Sequence, residues 1–455
     1  VRRTLREFAA AAGGQLHGAD ASFVNAVIDS RTVASGDLFL ALPGTRADGH
    51  EFVAAAAAAG AAGAVVNHTQ PVTLPQIRVG DVASALTAAG AHWRAAYTGP
   101  LIGVAGSNGK TTAKEMLGAV LSLSGPCLVT RGNLNNHLGV PLTLLRLQPA
   151  TRWAVIEMGA NRAGDVAALA ALARPTIGLI TSAGAEHLEG FGSIENAARA
   201  EGELVDALPP DGVAVLNADD PYYELWRQCT DARIVSFGFA AGADVRAEEL
   251  RLEADAHGFV SRFVLRSARG GVPVRLALAG RHNVRNALGT AAAALSAGCD
   301  LQQVAAGLGA VQAVPGRLQL RPGRSGAWLI DDSYNANPSS LRAALEVLSE
   351  LPGRRWLVLG DMAELGDFAA ASHREAGELA RASGVERLFT HGPLAALAAS
   401  AFGAGAEAFG DADSLSQALS ASLQSDVRLL IKGSRVNRLE RVVAAVGAPE
   451  ARRAG

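Results

Sequence analysis

The stretch Leu101-Ile-Gly-Val-Ala-Gly-Ser-Asn-Gly-Lys-Thr-Thr112 decides the fold. Leu101 to Ala105 is an apolar run that reads as a buried strand, Gly106 to Gly109 is a glycine-rich turn, and Lys110 to Leu123 has helical spacing. Strand, glycine loop and helix in that order form a phosphate cradle. Loop amides and the positive helix end point at an anion, Lys110 reaches the outer phosphates, and the Thr111 hydroxyl is a Mg²⁺ ligand. The expected nucleotide contacts are Gly106, Ser107, Asn108, Gly109, Lys110, Thr111 and Thr112. The strict G-x-x-x-x-G-K-[ST] pattern is not met, because Val104 stands where its first glycine would be. The competing reading is an ordinary glycine-rich strand-to-helix turn, which has no use for Lys-Thr-Thr. Lysine usage supports the cradle: the chain has 38 arginines and three lysines, Lys110, Lys114 and Lys432. A compact ammonium enters a ring of amides that a planar guanidinium would not fit.

Outward from this loop, strand-like runs alternate with helical patterns. Trp153 to Met158, Thr176 to Ser182 and Val213 to Asn217 are the clearest strands of the centre, and such alternation predicts a mostly parallel sheet covered by helices. Two β-rich runs flanking Gly270-Gly271, between Gly258 and Gly280, predict an added hairpin. After Val314-Pro315-Gly316, strands at Trp328 to Asp331, Arg355 to Leu359 and Val427 to Ile431 predict a second doubly wound, Rossmann-like unit. The 455 residues thus divide into three α/β domains: 1–80, 81–313 and 314–455.

A formal net charge of -2 gives no electrostatic footprint for nucleic acid. Cys127, Cys229 and Cys299 lack metal-ligand spacing and read as buried hydrophobes of a reduced compartment. Arg2, Arg3 and Arg6 precede alanines interrupted by Glu7 and Gly13-Gly14, which is not a signal peptide, and no apolar stretch reaches the length of a membrane span. The expectation is a cytoplasmic protein with no membrane insertion.

Ligands of open α/β sheets sit beyond the carboxyl ends of the strands, so candidates for metal or phosphate duty are Glu157 and His187, with Glu201 on the following helix. A solvated strand end, a structural histidine and a solvated helix residue are the plainer alternatives.

Several ordered strings carry a resemblance. They are Asp29-Ser30-Arg31, Asp48-Gly49-His50, the 106–112 loop, Gly132-Asn133-Leu134-Asn135-Asn136-His137, Glu157-Met158-Gly159-Ala160-Asn161 and Glu186-His187-Leu188-Glu189. Gly280-Arg281-His282-Asn283 with Asn286, Pro315-Gly316-Arg317, Asp331-Asp332-Ser333-Tyr334-Asn335-Ala336-Asn337-Pro338, Gly360-Asp361-Met362 and Lys432-Gly433-Ser434-Arg435 complete the set. Over its whole length the chain resembles the Mur ligases, ATP-dependent amide-forming enzymes of peptidoglycan precursor synthesis. The Asp-Asp-Ser-Tyr-Asn-Ala-Asn-Pro string is similar to the branch that adds D-alanyl-D-alanine.

The resemblance implies a first domain that holds UDP-N-acetylmuramoyl-tripeptide, a central domain that holds MgATP with two Mg²⁺ ions, and a third that closes over both, in a monomer. It implies catalytic roles for Lys110, Glu157, His187 and Arg317, with Arg317 a γ-phosphate contact arriving from the third domain. Asn283 is expected near adenine, where a helix cap is the alternative, and Asp332 at the ribose. Ser30, Arg31, Asn135, Asn136, Asn335 and Asn337 are expected to touch substrate, while Lys432 is left without a role. Thr111, Glu157, His187 and Glu201 are the implied metal set. Glu201 stands where many Mur ligases carry a carbamylated lysine, and a glutamate would supply the same anion unmodified. A folylpolyglutamate-type ligase shares this chemistry but lacks the uridine-nucleotide domain that Asp29-Ser30-Arg31 suggests. A P-loop regulatory switch is the alternative from another class.

Overall fold

The computed structural model describes residues 3–44, 47–255 and 258–448; Arg2 lies outside them. Three principal sheets follow one another along the chain. The first has strand order Gln15–His17, Gln76–Arg78, Gly63–Val66, Leu38–Leu40, Ala26–Val27, parallel except for its first pair. The helix Val82–Ala95, capped by the Asp81 carboxylate on the Ser84 amide, packs Val82, Leu86 and Ala89 into the same core as Leu5, Phe8, Leu38 and Ile77. An aspartate at that position accepts an amide that the first helical turn cannot satisfy itself.

The central sheet has nine strands. Cys127–Val129, Trp153–Glu157, Leu101–Ala105, Ile177–Ile180, Val213–Asn217 and Arg233–Gly238 are parallel in that order. Both faces are covered, and the strand residues divide accordingly. Ile102 and Val104 join a core with helices Lys110–Ser122 and Gly280–Ser296, while Leu101 and Ala105 join another with Asp165–Ala173 and Ile194–Asp206. A sheet buried on both sides explains why these strands read as continuous apolar runs. The Gly270-Gly271 hairpin is present as Gly258–Ser267 against Gly270–Leu276, and a third strand, Val245–Asp255, joins it to the parallel strands.

The last sheet has order Gln319–Pro322, Trp328–Asp332, Val427–Lys432, Arg354–Gly360, Arg387–His391, Ala406–Phe409, antiparallel only at its first pair. Residues following the carboxyl ends of Leu101–Ala105, Ile177–Ile180, Trp328–Asp332 and Val427–Lys432 line one shared cleft. No described helix is long and apolar enough to cross a membrane.

Candidate active site

The cleft has a volume of about 510 Å³ and is walled by central and third-sheet residues. Its floor is the 106–112 loop. Gly106 (φ 124°) and Gly109 (φ 91°) hold left-handed backbone, and a Cβ at either would overlap the Thr181 hydroxyl or the Asn286 carboxamide. Glycine is therefore required twice, by conformation and by close approach. Helix Lys110–Ser122 starts at the loop's end and aims its free amides into the cleft. Lys110 folds back so that Nζ donates to Gly106 O (2.6 Å) and lies 3.3 Å from Glu186 Oε2. Burial opposes its charge, but Glu186, Glu201 and Glu157 outweigh burial and raise its pKa. The ammonium stays charged in a pocket suited to an anion.

Beside it, the Thr111 hydroxyl donates to Glu157 Oε1 at 3.3 Å, and Asn135 Nδ2 donates to the same oxygen at 2.8 Å. Glu157 is almost fully buried at the end of its strand, and its Oε2 makes no hydrogen bond, with Lys114 Nζ 3.6 Å away. Hydroxyl plus carboxylate oxygen is a hard donor set that fits Mg²⁺.

His187 lies on a loop after Ile177–Ile180, with its own backbone at φ 50°. Its Nδ1 meets Glu364 Oε2 at 2.7 Å, and Nε2 lies 3.9 Å from Glu186 Oε1. Both His187 and Glu364 line the cleft.

The third-domain wall reaches the floor directly. Arg317 Nη2 donates to the Thr111 hydroxyl at 3.3 Å while its guanidinium stacks 4.4 Å over the Tyr334 ring. Asn337 caps helix Pro338–Ser349 and donates through Nδ2 to Asn108 Oδ1 at 3.0 Å. Asp332 accepts from Leu318 N and, at 2.6 Å, from the buried Lys432 Nζ, which also donates to Asn335 O. Asn283, Asn286 and His282 lie opposite, and burial pulls the His282 pKa down to about 4, so the imidazole is neutral.

One alternative reading and two expectations meet a different geometry. Asn283 is not a helix cap: Gly280–Ser296 begins earlier, with Ala279 as its cap residue, and Asn283 Nδ2 donates to Ala279 O. Glu201 is buried beneath the loop and does not line the cleft; its Oε2 accepts the Gly106 amide at 2.6 Å, and burial pushes its pKa up to about 7. Thr111 and Glu157 come together, but Glu201 serves the loop and His187 faces Glu364, and among the described residues no three His, Cys, Asp or Glu side chains form a metal cluster.

Ser30 and Arg31 sit in the first domain, away from the cleft. There Arg31 pairs with Asp29 Oδ2 at 2.7 Å on an exposed turn. Asn136 lines the cleft but its Oδ1 accepts from the Leu138 and Gly139 amides, and Asn335 lines it with Oδ1 on the Ala336 amide.

Sequence reasoning left Asn286, Glu186, Tyr334, Glu364 and Lys432 without assigned contacts in this cleft. Lysine scarcity was the available signal for Lys432 and Lys114, and both prove to be buried ammonium groups facing site carboxylates.

Family models match in three consecutive blocks. The Mur ligase family catalytic domain matches residues 22–97, the Mur ligase middle domain 104–294, and the Mur ligase glutamate ligase domain 316–435. A UDP-N-acetylmuramoyl-tripeptide–D-alanyl-D-alanine ligase of Escherichia coli is 41% identical over 448 residues, spanning 97% of this chain and 98% of that protein. Among solved structures, MurF of Acinetobacter baumannii superposes with a TM-score of 0.89 at 35% identity over 98% of both chains. MurF of Thermotoga maritima in complex with ADP superposes at 0.79 with 26% identity, over 92% of this chain and 96% of that one. With its three-domain architecture and phosphate loop, the chain belongs to the Mur ligase family.

Proposed function

We propose that this protein is the ATP-dependent ligase that joins D-alanyl-D-alanine to UDP-N-acetylmuramoyl-tripeptide in the cytoplasm, acting as a monomer. Domain 1–80 would hold the uridine-linked substrate, 81–313 ATP, and 314–455 the closing wall. The observation that carries this reading is the meeting of Lys110, Thr111, Glu157 and Arg317 in one cleft, with residues of two domains on either side. The full-length likeness to ligases of that name supports the choice of substrates.

Joining a carboxylate to an amine in water is uphill, so the carboxylate is first activated. The tripeptide's terminal carboxylate attacks the γ-phosphorus of ATP, the bond to the β-phosphate oxygen breaks, and ADP leaves with an acyl phosphate formed. The amine of D-alanyl-D-alanine then adds to the acyl carbon, loses a proton and expels inorganic phosphate. Two anions must approach in the first step, and Lys110 and Arg317 offset their repulsion from opposite sides. Bound at Thr111 and Glu157, Mg²⁺ would supply further neutralisation of phosphate charge. Asn108, Gly109 and the first amides of the helix at Lys110 orient the phosphates. Asp332, held by Lys432, would accept hydrogen bonds from the ribose hydroxyls, and Asn283 and Asn286 line the wall expected to face the base. Docking of the third domain keeps water from the acyl phosphate. Glu201, by fixing the Gly106 amide, sets the loop's geometry from below.

Mass spectrometry of products from ATP, UDP-muramoyl tripeptide and D-alanyl-D-alanine tests this. The expected product gains the dipeptide's mass less one water, with ADP and phosphate released in equal amounts. ATP hydrolysis that runs at the same rate without the dipeptide, and gives no such product, would overturn it.

A further inference from the structure

We propose that Glu364 is a positioning residue: from the third domain it fixes the ring of His187, so that the phosphate site is complete only when that domain is docked. The proposal rests on the cleft being the site of phosphoryl transfer. The geometry is unusual at both partners. His187 (φ 50°) and Glu364 (φ 64°) are both non-glycine residues in left-handed backbone, and their side chains meet at 2.7 Å across the domain boundary. Histidine is among the residues that visit this region with some frequency, whereas a glutamate there is uncommon. Glycine would relieve the strain at position 364, yet the chain carries a carboxylate. Core packing does not explain it, because the Glu364 side chain is 57% exposed.

The surrounding contacts hold the two loops in register. The Glu364 carbonyl accepts the Glu189 amide at 3.2 Å, Gly366 lies against Glu189, and Ala185 and Leu188 are buried in the core of the third domain with Met362 and Leu365. The loop bearing Glu186 and His187 is thus chemically part of the central domain and mechanically part of the third. With Nδ1–H donated to Glu364, the ring's Nε2 is left toward the cleft, facing Glu186, which faces Lys110. A carboxylate behind an imidazole sets both its tautomer and its orientation. Backbone strain kept at such a contact is consistent with a function that over-determines it.

The test uses the full chain with Glu364→Gly and Glu364→Gln. Glycine removes the carboxylate and relaxes the backbone, so Glu364→Gly should melt at the same temperature as the parent or higher. Its kcat should nevertheless fall about 10- to 100-fold, while KM for ATP changes by less than roughly threefold. Glu364→Gln keeps a side-chain oxygen that accepts from Nδ1 and should recover most of the loss. In ¹⁵N spectra of the histidine rings at pH 8, the parent's His187 should carry its proton on Nδ1, and Glu364→Gly should shift it to Nε2. A glycine variant with kcat within about twofold of the parent, or one that keeps the proton on Nδ1, overturns the proposal. A parent protein that makes no ligated product overturns the function proposed above instead, and the ring spectra then still decide whether Glu364 fixes His187.

Discussion

The phosphate loop and the His187 loop leave neighbouring parallel strands, Leu101–Ala105 and Ile177–Ile180, yet they are held by different means. The phosphate loop has its backbone fastened from within its own domain, where Glu201 takes the Gly106 amide, the Thr181 hydroxyl donates to Asn108 O at 2.6 Å and Asn286 closes on Gly109, and the third domain adds only side-chain contacts to Asn108 and Thr111. The His187 loop is tied to its own domain where it starts, with Ala183 N donating to Asp220 Oδ2 and Gly184 N to Ser107 Oγ, but it is also held from outside, by Glu364, Leu365 and a 3.4 Å hydrogen bond from Ala185 N to the Ser339 hydroxyl. One half of the site is pre-organised and the other half is conditional on domain docking. Binding energy from the substrates can therefore be spent on assembling the conditional half, which suits an enzyme that must not expose an acyl phosphate to water.

The sharpest break in this comparison is Lys110→Ala. It removes the cation that the phosphate loop itself carries, and product formation should fall about a thousandfold or more, measured as ADP release coupled to ligation. Thermal stability should fall as well, because Lys110 offsets carboxylates of which Glu157 and Glu201 are buried, so the rates are compared well below the variant's melting temperature. Product formation at the parent's rate would remove the phosphate loop from the chemistry. Arg317→Ala strikes the conditional half. It should lower kcat by about 10²- to 10³-fold and leave binding of ATP alone nearly unchanged, as titration calorimetry would show, since Arg317 reaches the loop only from the third domain. Arg317→Lys should not restore the rate, because an ammonium cannot both stack on Tyr334 and reach Thr111 in the same fork geometry. A lysine variant with full activity would reduce Arg317 to a point charge.

Leu188→Ala is a milder test of the same difference. Leu188 inserts into the third-domain core, and truncating it should weaken docking by roughly 2–3 kcal/mol. Small-angle scattering should then show a larger radius of gyration in the variant without substrates, with the difference closing when ATP analogue and tripeptide substrate are present. An unchanged radius would mean that the domains dock through other contacts.

How much of this was legible in the chain follows the same division. The strand, loop and helix around Lys110, and strands such as Val213–Asn217, announce themselves through apolar runs buried on both faces. Val245–Asp255 did not, because exposed Glu249, Arg251, Glu253 and Asp255 alternate with half-buried residues in an antiparallel addition with a register shift between Glu248 and Arg251. The plainer alternative for Asn283, a helix cap, failed because the helix starts three residues earlier, at Gly280 with φ 83°. Glu201 follows a helical pattern that places it on a buried face, but which ligand that face meets is a tertiary fact. The contact of Glu364 with His187 has no local signature at all. Pre-organised parts of the site were visible as motifs, and of the parts that cross a domain boundary Arg317 and Asn337 were carried by the resemblance, whereas Glu364 stood as an isolated charged residue.

The smallest expected effect on the rate concerns the fastening of the phosphate loop itself, where the readout is stability against pH. Glu201 has its pKa raised to about 7, first by burial, with Lys110 and the Gly106 amide pulling the other way. In the unfolded chain the same carboxyl titrates near its ordinary value of 4.5. A raised acid favours the protonated native form, so its contribution is fully present below pH 4.5 and is lost as pH rises through 7. The loss is at most on the order of 3 kcal/mol. Glu201→Gln keeps an oxygen for the Gly106 amide and removes the titration. Its melting temperature should therefore lie close to the parent's at pH 5 and exceed it increasingly toward pH 8. If instead the variant is less stable than the parent at pH 8, the ionised carboxylate is held by Lys110 more strongly than burial opposes it. The loop would then be fastened by charge rather than by a neutral hydrogen bond.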